Sequence, residues 1–109
     1  MSVAEVLTAL ADPTRRDLLE MLGARGEATA TDLAVDLPIS RQAVAQHLAV
    51  LNEVGLVVGR RQGREHRFLV CSEPLDETAR WMSQLSQQWD RRLRAIQRIA
   101  ETSHRALSK

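Results

Sequence analysis

Residues 39–57 read ISRQAVAQHLAVLNEVGLV, and the segment is amphipathic in an unusual way. At about 100° per residue, with Val44 set to zero, Leu48 and Leu51 fall within about 40° and mark an apolar face. Gln42, Gln46, Ala49 and Glu53 lie opposite, with Ala45 beside them. A helix face turned to plain water is ordinarily charged, yet here only Glu53, at the C-terminal end, carries a charge. Ser40 stands where an N-cap belongs and Gly55 where a helix stops, so the spacing predicts a helix from about Arg41 to Val54. Pro38 forbids a preceding helix to run on. The turn Pro38-Ile39-Ser40 thus joins this helix to a short one, roughly Thr31–Leu37 with Thr31 as its cap, and the pair forms a helix-turn-helix.

In such a unit the second helix enters the major groove by its N-terminal turns, while its far end tilts away. That geometry gives the uncharged face a purpose. Ala45 and Ala49 allow close approach to base edges and can touch a thymine methyl, and Gln42 and Gln46 each offer a donor and an acceptor to adenine. Arg41 can reach guanine or a phosphate, and Ser40, with the free N–H groups of the helix start, can bind the backbone. His47, about 60° from the centre of the apolar face, sits at its boundary. It is either a half-buried, hydrogen-bonded histidine or a base reader, and a phosphate contact is compatible with both. Taken alone, the helix also suits a neutral surface that packs on another protein.

Beyond Gly55 the period changes. LVVGRR and REHRFLV read as two strands joined around Gln62-Gly63, a hairpin holding Arg60, Arg61, Arg64 and Arg67. Four arginines on a twisted ribbon suit phosphate or minor-groove contact, against the plainer alternative of a solvated charged hairpin. Phe68 and Val70 belong to its core side, and His66 is left open. Upstream, Val3, Val6, Leu7 and Leu10 recur at helical spacing. Asp12 and Pro13 then start a second helix with Leu18, Leu19 and Leu22 inward, ended by Gly23. Gly23–Ala28 reads as a loop. Pro74 opens a last helix to about Glu101. The expectation is one mainly α domain over 1–109 with a small β-hairpin: a winged helix-turn-helix, with the helix-turn-helix at about 31–54, the wing at about 56–71 and the last helix at about 74–101.

Composition is compatible with this. The 109 residues are 44% hydrophobic and 27% charged, with a net charge of +1, ordinary for a globular domain. The charge is unevenly spread. Residues 1–37 hold three arginines against seven acids, and residues 38–70 five arginines against two. No apolar run approaches the roughly 20 residues of a membrane span, so no membrane partner is expected. The start, MSVAEVLTALADP, lacks a basic region, which argues against a signal peptide. The lone Cys71 can make no internal disulfide and fits a reducing cytoplasm. A redox role for it would need an exposed, acidic thiol, whereas Phe68–Cys71 reads as a core-bound strand.

With these elements in place, ALADPTRRDLLEML (9–22), TDLAVDLPISRQAVAQHLAVLNEVGLV (31–57) and GRRQGREHRFLV (59–70) resemble the ArsR-type (arsenical-resistance repressor) winged-helix regulators of bacteria. The likeness covers nearly the whole domain. It implies a homodimer that binds a palindromic operator in double-stranded DNA and represses until an inducer, not identifiable from the sequence, releases it. It also implies that the helix at 40–54 reads DNA and the hairpin at 56–71 is the wing. Two departures stand out. Metal-sensing members carry paired cysteines in a Glu-Leu-Cys-Val-Cys-type phrase, where this chain has Asp32-Leu33-Ala34-Val35-Asp36. Other members use Asp and His sets on the last helix, which here offers only His104. Thiolates and imidazoles are what such ions require, so neither a metal site nor another cofactor is expected. Position 45, often serine in the family, is alanine, which removes one possible hydrogen bond to DNA.

On the last helix Leu75, Met82, Leu85, Trp89, Leu93, Ile96 and Ala100 recur at threes and fours, one step doubled. A domain this small has little to bury such a stripe against. The stripe is read, with Val3, Val6, Leu7 and Leu10, as a two-fold dimer seam, in which Trp81 and Trp89 are anchors of the kind interfaces favour. A ligand box is the alternative. Arg91, Arg92, Arg94 and Arg98 read as its solvated side. No nucleophile–base set is recognisable, so an enzyme is not expected. The rival to a DNA-binding regulator is a winged helix used only as a protein-interaction module, to which an arginine-rich wing would be of no use.

Overall fold

A computed structural model describes residues 2–107. The order is α1 (Val3–Leu10), α2 (Pro13–Arg25), β1 (Glu27–Thr29), α3 (Ala30–Val35), α4 (Arg41–Glu53), β2 (Val57–Gln62), β3 (Glu65–Val70) and α5 (Glu73–Leu107). Two compact units result: one extends to Thr78, and the other, from Ala79, is the remainder of α5. The mainly helical winged helix-turn-helix expected from the sequence is present, with one strand more than foreseen.

The first unit closes on a single aliphatic core. Leu18 and Leu22 of α2, Leu33 of α3, Val44, Leu48 and Leu51 of α4, and Leu56 and Val57 at the wing's root are all essentially inaccessible to water. Each is a side chain whose burial is worth about 1.5–3 kcal/mol, so α4 is held by three such anchors on its inner face.

The helix boundaries follow local chemistry. Asp12 caps α2, its Oδ1 accepting from the amides of Thr14 (2.8 Å) and Arg15 (3.2 Å), with Pro13 in the first turn. Gly23 does not end α2. The helix continues to Arg25 and stops at Gly26, whose φ of 90° is left-handed. A glycine inside a helix costs only about 1 kcal/mol relative to alanine, too little to end one that buries Leu18 and Leu22. The cap of α3 is Thr29 and not Thr31, in a reciprocal capping box with Asp32. Arg25 also forms an ion pair with Asp36, the residue that closes α3.

The expected loop at 23–28 contains β1. Its residues pair antiparallel with β3 (Glu27 with Leu69, Ala28 with Phe68, Thr29 with Arg67), giving sheet order β1-β3-β2. A three-residue strand has no periodicity to betray it and exists because β3 offers it an edge. The wing hairpin itself pairs Val57 with Val70 through Gln62 with Glu65, and Gly63 turns its tip at φ 63°.

The joint between α4 and the wing is a Schellman motif. The Gly55 amide donates to the Asn52 carbonyl (3.1 Å) and the Leu56 amide to the Leu51 carbonyl (2.9 Å), with Gly55 at φ 77° and Leu51 and Leu56 both buried. The other end of the hairpin returns to the same point, the Cys71 amide donating to the Leu56 carbonyl at 2.9 Å.

The second unit is one helical segment carrying a continuous apolar stripe in the open. Trp89 is 55% exposed and Ile96 61%, with Trp81, Met82, Leu85, Leu93 and Ile99 exposed too. Arg92 lies 5.7 Å from the centre of the Trp89 ring. Leu75, assigned to this stripe from the sequence, packs against the first unit's core instead.

Candidate nucleic-acid interface

Ser40 caps α4, its Oγ accepting from the Ala43 amide at 3.1 Å. With Val44, Leu48 and Leu51 buried, the opposite surface of Arg41, Gln42, Ala45, Gln46 and Ala49 is exposed. Among the described residues none of these side chains has a hydrogen bond or ion pair of its own. The result is an open strip of amides and methyls with one guanidinium at its N-terminal end.

His47 is half-buried, and its Nδ1 stands 3.4 Å from Arg15 Nη1. A guanidinium can only donate, so this contact requires Nδ1 to accept. Arg15 also donates from Nε to the Ala9 carbonyl (2.6 Å) and lies 3.9 Å from Asp12. Burial would push the Asp12 carboxyl up. The amides of Arg15 and Thr14, with the Arg15 guanidinium beside them, nevertheless hold it below its ordinary 3.8. Between the two alternatives the sequence left for His47, its position is that of the hydrogen-bonded boundary residue.

The wing divides its arginines between two faces. Successive strand residues alternate sides, and the register puts Arg60 opposite Arg67 on the face that carries Glu27 and Glu65. Arg60 reaches both Glu27 carboxylate oxygens at 3.2 Å, and Arg67 lies 3.8 Å from Glu27 and 2.8 Å from Glu65. The Nε of Arg67 is buried without a hydrogen-bond partner among the described residues. Arg60 and Arg67, expected among the phosphate contacts, are thus engaged within the sheet. Arg61 and Arg64 are exposed and, among the described residues, have no ionic partner. Glu27, which the sequence reading did not single out, is the acid that ties β1 to the wing. Its role follows from pairing between strands some forty residues apart, which no local pattern encodes.

Of the α1 residues assigned to a dimer seam, Val6 is only 2% exposed and belongs to the chain's own core, as does Ala9 beside it. Val3 and Leu10 are half-buried, and Leu7 is exposed. Among the described residues no group of His, Cys, Asp or Glu is placed to hold a metal ion, and no helix is long and apolar enough to cross a membrane. Cys71 is a half-buried free thiol.

Comparison with known proteins bears on the whole arrangement. A family model described as a helix-turn-helix domain matches residues 10–60. The transcriptional repressor SdpR of Bacillus subtilis is 31% identical over 77 residues, covering 71% of this chain and 84% of the repressor. Among solved structures, an ArsR-like transcriptional regulator from Rhodococcus is 45% identical, with a TM-score of 0.84 over 92% of this chain and 91% of that one. The homodimeric winged helix-turn-helix DNA-binding domain Mb0332 of Mycobacterium bovis is 27% identical, with a TM-score of 0.61 over 81% of this chain and 78% of that one.

Proposed function

We propose that this chain, which belongs to the ArsR-type family of winged helix-turn-helix transcriptional regulators, acts as a homodimeric repressor that reads an inverted-repeat operator through α4. The family is one of DNA-binding regulators and not of enzymes. The observation that carries the assignment of the reading surface is the open strip on α4. Its amides and methyls are unpartnered, its charge is confined to the ends, and three buried aliphatics fix its direction. Gln42 and Gln46 supply base preference, Ala45 and Ala49 allow close approach, and Arg41 and Ser40 engage the flanking backbone. Arg61 and Arg64 of the wing add sequence-independent attraction to phosphate.

The partner copy is assigned to the exposed stripe of α5, where Met82, Leu85, Trp89, Leu93 and Ile96 give an apolar surface that is self-complementary about a two-fold axis. On α1, the exposed Leu7 and the half-buried Val3 and Leu10 are proposed as further contacts with the partner copy. A two-fold pair puts two copies of α4 about 34 Å apart, one turn of duplex, and so selects an inverted repeat. Such a protein works in the cytoplasm, where bacterial DNA lies.

The test is enrichment of bound sites from a randomised duplex pool by the parent and by Gln46→Ala. The parent should select one inverted repeat, and the variant should lose preference at one symmetric pair of positions, at a cost of about 1–3 kcal/mol on the parent's site. Identical site preferences for the two proteins would refute the assignment of α4's open face.

A further inference from the structure

Between the wing, the start of α3 and the N-terminal half of α4 lies an open groove of about 490 Å³, walled by Arg41 and Ala45 on one side and Arg64, His66 and Phe68 on the other. Its electrostatics are one-sided. The two acids that border it are occupied: Asp32 accepts from the Thr29 amide at 3.3 Å within its capping box, and Glu65 is paired with Arg67 at 2.8 Å. The two arginines that border it, Arg41 and Arg64, have no ionic partner among the described residues, and neither does Arg61, which faces His66 across the hairpin. An anion is what such a groove accepts, and its breadth and openness suit a phosphodiester with its sugars better than a bare ion.

His66 is exposed, yet its ring is not loose. It stacks on Phe68 with centroids 4.6 Å apart and planes at 33°. It also covers Gly59 on the neighbouring strand so closely that a Cβ there would collide with Nε2 and stand 3.1 Å from both Cδ2 and Cε1. The backbone of Gly59 is not left-handed, so glycine is not required for its conformation. What its missing side chain provides is room for the imidazole. With Nε2 turned to the strand, Nδ1 lies on the edge turned away from it.

We propose that His66, set by Phe68 and the bare backbone of Gly59, is a further phosphate ligand, which with Arg41 and Arg64 seats one backbone phosphodiester of the bound duplex between the reading helix and the wing. This rests on the DNA-binding function stated above and adds a residue and a contact to it. A ring already held in place loses less freedom on binding than a free surface side chain does.

Because a phosphate contact is blind to sequence, a mixed-sequence duplex serves as the probe. Its affinity for the full-length protein is measured from 50 to 200 mM salt for the parent, His66→Ala, Gly59→Ala and the double variant. The salt slope counts charges that neutralise phosphate, about 0.9 each, so a hydrogen bond from an imidazole to a phosphodiester already neutralised by arginine leaves the slope near the parent's, and its loss should weaken affinity about threefold to tenfold at each salt concentration. We expect that change in His66→Ala, and the same change in Gly59→Ala, whose new methyl must swing the ring aside while the imidazole itself remains. The double variant should be no worse than either single one, and thermal melting should show all three folded. His66→Asn, which keeps a donor at the position, should recover part of the affinity. Parent-like affinity in both single variants would overturn the proposal, and so would loss in His66→Ala with none in Gly59→Ala. If the parent itself ignores duplex DNA, the DNA-binding function fails and not merely this contact. If the parent binds and Gln46→Ala relaxes its choice while the wing variants match the parent, this contact alone is wrong.

Discussion

The division of the wing arginines between two faces leads to a quantitative contrast. Arg61 and Arg64 are unpartnered, whereas Arg60 and Arg67 are held by Glu27 and Glu65. Removing the first pair should abolish two phosphate contacts and lower the salt slope by about 1.8. Over the fourfold interval from 50 to 200 mM the parent then loses about twelve-fold more affinity than Arg61→Ala/Arg64→Ala does. Removing the second pair should leave the slope alone and act on stability. Arg60 is 60% and Arg67 32% exposed at the side chain, so solvent screens their ion pairs to about 0.2–1 kcal/mol each. Part of even that is offset, because deleting Arg67 also removes a buried Nε donor that has no hydrogen-bond partner among the described residues. The net should be about 1 kcal/mol or less, a fall of a few degrees in melting temperature for a domain of this size. The assays are fluorescence anisotropy on a mixed-sequence duplex across salt and thermal melting by circular dichroism. If Arg60→Ala/Arg67→Ala lowered the salt slope as far as the other double variant, the assignment of arginines to faces would be refuted.

Other consequences are equally open to measurement. Leu48→Ala, at a fully buried anchor of α4, should cost about 2–5 kcal/mol in urea unfolding and weaken operator binding more than an exposed α4 substitution of similar stability cost. Leu93→Glu, placed in the exposed α5 stripe, should shift sedimentation from dimer to monomer and lower operator affinity while leaving the first unit folded. Because the Asp12 pKa is depressed in the folded chain, its contribution to stability is present above the unfolded carboxylate value of about 3.9 and is lost as pH falls through the lower folded value. Asp12→Asn should therefore narrow the drop in urea midpoint between neutral pH and the acid range, with the two proteins converging below about pH 4.

Much of the fold was legible because its signals are local. Ser40, the Val44–Leu48–Leu51 face and Gly55 specify α4 within sixteen residues, and the change of period after Gly55, with Gly63 between two strand-like runs, specifies the hairpin. What escaped depends on partners distant in sequence. Nothing around Glu27 announces a strand, since β1 is three residues long and needs β3 beside it. Without β1 the place of Glu27 on the sheet, and so its hold on Arg60 and Arg67, is out of reach. Gly23 looked like a helix stop because glycine is a weak helix former, but the buried leucines around it outweigh that preference. Val6 looked like seam and proved to be core, for a reason of the same kind: helical spacing identifies an apolar face but not which neighbour covers it. The open strip on α4 is the opposite case, since none of its side chains has a hydrogen bond or ion pair in the described chain and its exposure follows from the helical pattern alone.

The Schellman joint at Gly55 has a bearing on control. Hydrogen bonds from Gly55, Leu56 and Cys71 converge there on Asn52, Leu51 and Leu56, so the segment between reader and ribbon has no slack to act as a hinge. Tilting one without the other would break backbone bonds around a sealed leucine pair. In the homodimeric repressor proposed above, a signal that empties the operator would accordingly have little to gain by bending the domain. Its leverage would lie in how far apart, and at what angle, the two stiff copies are carried.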